Sequence, residues 1–251
     1  MKNFGLTDRG KVRAENQDSF VIEYIESREC LCAVLCDGMG GLAKGEVASA
    51  SVIRAFDRWL YNDLPVLCKR PIEDATIKAQ WTQIVTEQNK TIKAYGARQG
   101  VRLGTTVVAM LLTQKRYYIL NVGDSRAYEI TYGVKQITND QTFVAREVAL
   151  GNMTEEQAKV DERRSVLLQC VGASDDVYPD MFFGETNDNA VYMLCSDGFR
   201  HEITEDEIYA KLNPNVLLNE YVMENYARDL IDLNKSRQER DNISVALVRT
   251  F

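Results

Sequence analysis

Four short apolar stretches of this chain meet an aspartate at one end. Cys30–Cys36 runs into Asp37-Gly38-Met39-Gly40-Gly41, Tyr117–Val122 into Gly123-Asp124-Ser125-Arg126, and Val191–Cys195 into Ser196-Asp197-Gly198. Asp241-Asn242 immediately precedes Ile243–Arg249, and Asp18 opens a further stretch, Ser19–Ile25. A carboxylate beside an apolar core is costly unless its charge is compensated. Glycine next to it lets the backbone turn tightly, so that a carbonyl or a ligand can come close. Carboxylates, a backbone carbonyl and water are the ligands that Mg²⁺ and Mn²⁺ prefer. Asp-Gly is also a common turn, which explains any one of these sites. Four sites repeating one pattern favour a cation site instead.

Other catalytic patterns fail on their spacing. Cys195 and Arg200 have four residues between them, one short of the Cys-x5-Arg loop of cysteine-dependent phosphatases, and Cys195 belongs to an apolar strand. Gly38-Met39-Gly40-Gly41 is neither a P-loop nor GxGxxG. His201-Glu202 has no second His for HExxH, and no GxSxG occurs. With a single His in the chain, His201 reads as a surface residue, and a zinc or copper site has too few nitrogen ligands. The six cysteines, at 30, 32, 36, 68, 170 and 195, form no CxxC and read as reduced, small, buried hydrophobes.

The elements that must carry the aspartates follow from periodicity. Strands are expected at Ser19–Ile25, Cys30–Cys36, Thr105–Leu112, Tyr117–Val122, Ala127–Thr131, Ala190–Cys195 and Ile243–Arg249. Tyr132-Gly133 suggests a hairpin and antiparallel pairing. Helices are expected over Gly45–Tyr61, through Val52, Phe56 and Trp59, and over Ile72–Tyr95, through Ile77, Trp81, Ile84, Gln88, Ile92 and Tyr95. Capping boxes at Thr154–Gln157 and Thr204–Glu207 open two more, the second over Asp206–Leu212. A last helix after Pro214 should carry Leu217, Tyr221, Met223 or Glu224, and Leu230–Ile231. Strict βαβ alternation is absent, so an α+β architecture with helices covering antiparallel sheets is expected, not a Rossmann sheet.

With 251 residues, 45% hydrophobic and 27% charged, and no repeat or Pro/Gly/Ser-rich linker, the chain reads as a single domain. A formal charge of −7 argues against nucleic acid and anionic membrane as partners. The longest apolar run, Cys30–Cys36, is far short of a membrane span, and the N-terminus has no signal-like segment, so a cytoplasmic location is expected.

Taken together and in order, the motifs resemble the metal-dependent protein phosphatase 2C family, bacterial type. Thr7-Asp8-Arg9-Gly10, Val12-Arg13 and Asn16-Gln17-Asp18 resemble the opening motif, and Asp37–Gly41 the second. Gly104-Thr105-Thr106, Val122–Arg126, Asp140, Cys195–Gly198 and Asp241–Ser244 continue the set over nearly the whole chain. The resemblance implies a four-layer α-β-β-α sandwich, two antiparallel sheets flanked by helices. The whole of 1–251 would be one catalytic domain, with a flap insertion at about 143–170. It further implies two or three Mn²⁺ or Mg²⁺ ions. Asp37 would bridge two of them, the Gly38 carbonyl would bind one, and Asp197 and Asp241 would hold the other, with Asp124 at a third site. Arg13 would clamp the substrate phosphate and Asp18 would orient a metal-bound water.

The implied reaction is hydrolysis of phosphoserine and phosphothreonine on proteins by in-line attack of water. The uncatalysed reaction is extremely slow, and paired metals answer that inertness. A guanidinium matches two phosphate oxygens in a way Lys cannot. The family implies phosphoproteins and a cognate Ser/Thr kinase as partners, and a monomer. Three departures stand out: Met39 where many eukaryotic members have His, Gln17 where some members have an acid, and Asp161-Glu162-Arg163-Arg164-Ser165 in place of His-Pro-x-Arg-Asn. Two other readings compete, a phosphoprotein-binding pseudophosphatase and a hydrolase of small phosphate esters. Retention of Asp37, Asp197 and Asp241 argues against the first.

Overall fold

The computed structural model describes residues 1–25, 29–39, 44–69 and 71–251. One five-stranded sheet has the order β1 (Lys2–Asp8), β12 (Ile243–Arg249), β11 (Val191–Cys195), β8 (Arg126–Ile130), β9 (Val134–Gln136). The other has the order β10 (Asp180–Glu185), β7 (Arg116–Val122), β6 (Val107–Leu112), β3 (Cys30–Cys36), β2 (Ser19–Ile25). All their pairings are antiparallel. A two-stranded piece joins β4 (Gly38–Met39) to β5 (Gly104–Thr105).

Alternation on β3 shows how the layers stack. Cys30, Cys32, Val34 and Cys36 face the cluster beneath α1 (Gly45–Asn62) and α3 (Asp74–Gln99), where Phe56, Trp59 and Trp81 meet edge to face. Leu31, Ala33 and Leu35 face the other way, against Tyr192, Leu194, Ala246 and Val248 of the opposite sheet. Burial on both faces is why this strand reads as an unbroken apolar run. The outer face of the first sheet packs on α6 (Asp197–Arg200), α7 (Glu205–Leu212) and α8 (Glu220–Ser236). Three apolar clusters thus separate four layers, helices, sheet, sheet and helices, the expected sandwich.

Three expected strands, Ser19–Ile25, Cys30–Cys36 and Ile243–Arg249, match residue for residue. Thr105–Leu112 is broken at Thr106, whose backbone N–H turns away from the ladder to donate to the Asp37 carbonyl. The Tyr132-Gly133 hairpin joins β8 to β9. Both capping boxes form, ahead of α5 (Glu155–Val160) and α7. The helix expected from Ile72 begins at Asp74, because the Ile72 carbonyl accepts from the Tyr118 hydroxyl. It runs on to Gly100, whose left-handed backbone ends it.

The helix after Pro214 begins later than expected. Asn219 caps α8, leaving Leu217 buried ahead of the helix and Tyr221 on its solvent face, 74% exposed. Strands β1, β4 and β10 have no expectation behind them, and β9 has only the Tyr132-Gly133 hairpin. β1 and β10 are sheet edges of intermediate or exposed residues, without the apolar density that marks the central strands. Two short helices, α2 (Leu64–Leu67) and α4 (Phe143–Ala149), complete the chain.

Candidate metal centre

Strand register brings the five aspartates to one end of the sandwich. In one sheet, Ser19 pairs with Cys36, which sets Asp18 opposite Asp37. Leu35 pairs with Val108 and Val107 with Val122, which carries the Gly123-Asp124 turn to the same end. In the other sheet Cys195 pairs with Val245, so Asp197, just after β11, and Asp241, just before β12, meet there too.

The Gly104-Thr105-Thr106 segment grips the backbone of Asp37. Thr105 Oγ1 and Thr106 N both donate to the Asp37 carbonyl, at 2.8 and 2.9 Å, and Asp37 N donates to Thr106 Oγ1 at 3.0 Å. Gly38 N donates to the Gln17 carbonyl, and a Cβ on Gly38 would lie 2.4 Å from both the Gln17 and Gly45 carbonyl oxygens. Only glycine lets these three segments approach so closely. Gly40 and Gly41 of that motif lie outside the described residues.

The chain's two ends are tied together at this point. Asn242 Nδ2 donates to the carbonyls of Arg9 and Glu15, and its Oδ1 accepts from Gln17 N. Ser244 Oγ donates to Asp18 Oδ2 at 2.5 Å. Asn16, Thr7 and Ser244 continue the network by side-chain hydrogen bonds of 2.7 Å.

Two buried carboxylate oxygens, Asp18 Oδ1 and Asp197 Oδ1, have no hydrogen-bond partner in the structure. Burial, then the charges of Asp197 and Asp241, push the Asp18 carboxyl up to about 7, against the hydrogen bonds from Ser244 and Ser196. Burial and Asp197 likewise push Asp124 up to about 7, and Arg200 opposes them. Asp37 is raised well above the carboxylate range by burial and by Asp18, Asp197, Asp241 and Asp124. Mutual repulsion of this kind is what a bound cation relieves. Among the described residues, no three His, Cys, Asp or Glu side chains form a ready cage for one ion. Carboxylates and a backbone carbonyl are donors that suit a hard divalent cation.

Arg13 reaches the cluster from a half-exposed position, with Nη2 donating to Asp241 Oδ2 at 2.7 Å. That hydrogen bond raises its pKa, against burial and with help from Asp37 and Asp197. Asp140 accepts two hydrogen bonds of 2.7 Å from Arg126 and one of 3.3 Å from Arg200. Arg200 also donates to the Asp124 carbonyl at 3.2 Å. Burial works against the Asp140 carboxylate, but the two guanidiniums outweigh it and hold its pKa low. Asp140→Asn leaves two mostly buried guanidiniums without their carboxylate and is expected to destabilise the protein by about 3 kcal/mol. Urea denaturation checks this, and a loss within error of zero would show the ion pairs to be dispensable.

His201 is exposed, as expected, yet its ring lies 3.7 Å from Asp197 and 3.6 Å from Glu239. Glu239 in turn accepts from the backbone N–H groups of Arg240 and Asp241. Arg200 and Glu239 are the neighbours that sequence reasoning missed. Nothing in their residue types or spacing marks them, since each meets the cluster only through the fold. A cleft of about 820 Å³ lies beside residues 167–180 and contains none of the five aspartates.

Known proteins share this fold. The family model for protein phosphatase 2C matches residues 9–244. The serine/threonine phosphatase stp of Listeria innocua is 30% identical over 246 residues, 96% of this chain and 93% of that protein. The crystal structure of serine/threonine phosphatase Stp1 from Staphylococcus aureus superposes with a TM-score of 0.85 at 30% identity, covering 99% of this chain and 94% of that one. The catalytic domain of the serine threonine protein phosphatase PstP, solved in complex with 2 manganese ions, has a TM-score of 0.78 at 30% identity and covers 98% and 96%. The chain belongs to the protein phosphatase 2C family. It is an enzyme, a protein serine/threonine phosphatase by class, and divalent metal belongs to its chemistry.

Proposed function

We propose that the whole chain acts as one catalytic domain that hydrolyses phosphoserine and phosphothreonine on proteins. The observation that carries the metal reading is the set of buried, mutually repelling carboxylates at one end of the sandwich, two of them with unfilled oxygens. Asp37, the Gly38 carbonyl, Asp197 and Asp241 would hold two Mn²⁺ or Mg²⁺ ions, and Asp124 would contribute to a third. When bound, such ions supply a water nucleophile of lowered pKa and neutralise phosphoryl oxygens. Asp18 offers Oδ1 as an acceptor that orients the attacking water, while Ser244 fixes its other oxygen.

Arg13 exchanges its bond to Asp241 for two oxygens of the substrate phosphate. Met39 has no proton to give the leaving group, so that proton comes from solvent. Residues 143–170 would form a flap beside this centre and meet the protein part of the substrate. The substrates would be the targets of a cognate Ser/Thr kinase. The enzyme would work as a monomer in the cytoplasm. No helix among the described residues is long and apolar enough to cross a membrane.

Hydrolysis of p-nitrophenyl phosphate and of a phosphothreonine peptide, each with Mn²⁺, Mg²⁺ or EDTA, tests the proposal. Metal-dependent turnover of both supports it. Turnover of the small ester alone favours a small-ester hydrolase, and none in a folded protein favours a binding protein. Arg13→Ala is expected to raise KM for the peptide by about tenfold, with a smaller change in kcat, if the arginine holds ground state and transition state alike. An unchanged kcat/KM would remove Arg13 from the phosphate site.

A further inference from the structure

Cys30 and Cys68 are 38 residues apart in sequence, yet their sulfur atoms lie 3.4 Å apart. Cys30 is the first residue of β3 and is buried. Cys68 ends the four-residue α2 and is partly exposed. All six cysteines are thiols. Burial pushes the thiols of Cys32, Cys36, Cys170 and Cys195 up, and the thiolate is the reactive form.

We propose that Cys30 and Cys68 are a redox modification site, joined by hydroperoxides into a reversible disulfide that clips α2 to the head of β3. The bond requires the sulfurs to approach by only roughly 1.3 Å to reach a disulfide length of about 2.05 Å. The four-residue α2, which contains Pro65, is the element that moves. The reaction begins at the more accessible sulfur. The Cys68 thiolate attacks the peroxide, the O–O bond breaks, and the alcohol or water derived from the peroxide leaves behind Cys68 sulfenic acid. The Cys30 sulfur then attacks the Cys68 sulfur, the S–O bond breaks, and a water leaves. Two thiols have lost two electrons and two protons, and the peroxide has been reduced. A dithiol reverses the change by exchange.

The clip closes the loop that contains Asp37, Gly38 and α1. It lies at the far end of β3 from Asp37, about 20 Å along a seven-residue strand. Its expected consequence is therefore stabilisation without obstruction of the centre, which separates this proposal from the reading of the catalytic site.

The test uses the intact, fully reduced protein treated with hydrogen peroxide. After denaturation, the thiol count should fall from six to four, and peptide mapping should join the segments bearing residues 30 and 68. The melting temperature should rise by about 5–10 °C and return with dithiothreitol. Cys68→Ser should keep five thiols under the same treatment, while Cys30→Ala should form no bridge and lose only the Cys68 thiol, as a sulfenic acid that dithiothreitol returns. In the unsubstituted protein, six remaining thiols, a bridge between other cysteines, or Cys68 stopping as an oxygen adduct would overturn the proposal.

Discussion

Asp197→Asn is expected to lower kcat by at least about a thousandfold while the protein becomes more stable in the absence of metal. The two effects share a cause. Asp197 raises the carboxyl pKa of Asp18, Asp37 and Asp124, so one fewer charge relieves the whole cluster. The same change removes an anionic donor, with an unfilled buried oxygen, from the proposed cation site. Losing about 4 kcal/mol of transition-state stabilisation corresponds to a thousandfold in rate. Steady-state kinetics with Mn²⁺, beside melting curves in EDTA, check both halves. Full activity would sink the metal assignment. Lost activity with a lower melting temperature in EDTA would mean that Asp197 is a structural residue.

Stability of the metal-stripped protein should fall as pH rises from about 4 to about 7. Burial and mutual repulsion push Asp18 and Asp124 up to about 7 in the folded chain, against 3.8 for the ordinary side chain, and raise Asp37 well above that ordinary value too. In that window the folded protein holds protons that the unfolded chain has released, so unfolding becomes easier with each step up in pH. The stabilisation is complete below about pH 4 and gone above the folded values. Its size is on the order of several kcal/mol for the cluster. Saturating Mn²⁺ should reverse the slope, because the cation competes with protons for the same oxygens and binds better as pH rises. Urea titrations between pH 4.5 and 8, with EDTA and with Mn²⁺, measure this directly. A flat profile in EDTA would show that the carboxylates do not repel one another as their burial implies.

The central strands were legible because they are buried on both faces, so composition alone marks β3, β6, β7, β11 and β12. Their aspartates were legible because a charge at the end of such a run needs a reason. Strands β1 and β10 were not, because an edge strand half in water has neither apolar density nor strict alternation. The break at Thr106 escaped for a different reason: it depends on Asp37, 69 residues away. Arg200 and Glu239 are ordinary charged residues until the fold sets one under Asp124 and the other behind Asp241. The Leu217–Tyr221 phase was lost because Asn219, rather than Pro214, starts α8 and fixes which face is wet.

The knot of hydrogen bonds that Asn242 ties to Arg9, 233 residues earlier, has a temporal meaning. During synthesis at about 5–20 residues per second, the opening loop waits roughly 10–50 s for its partner to be made. Throughout that interval β1 lacks the strand it pairs with, and β11 and β8 lack one wall of their sheet. A nascent chain therefore holds Asp37 and Asp124 long before Asp241 arrives. A ribosome that stalls short of β12 leaves a product with an open strand edge, a natural target for chaperones and proteases.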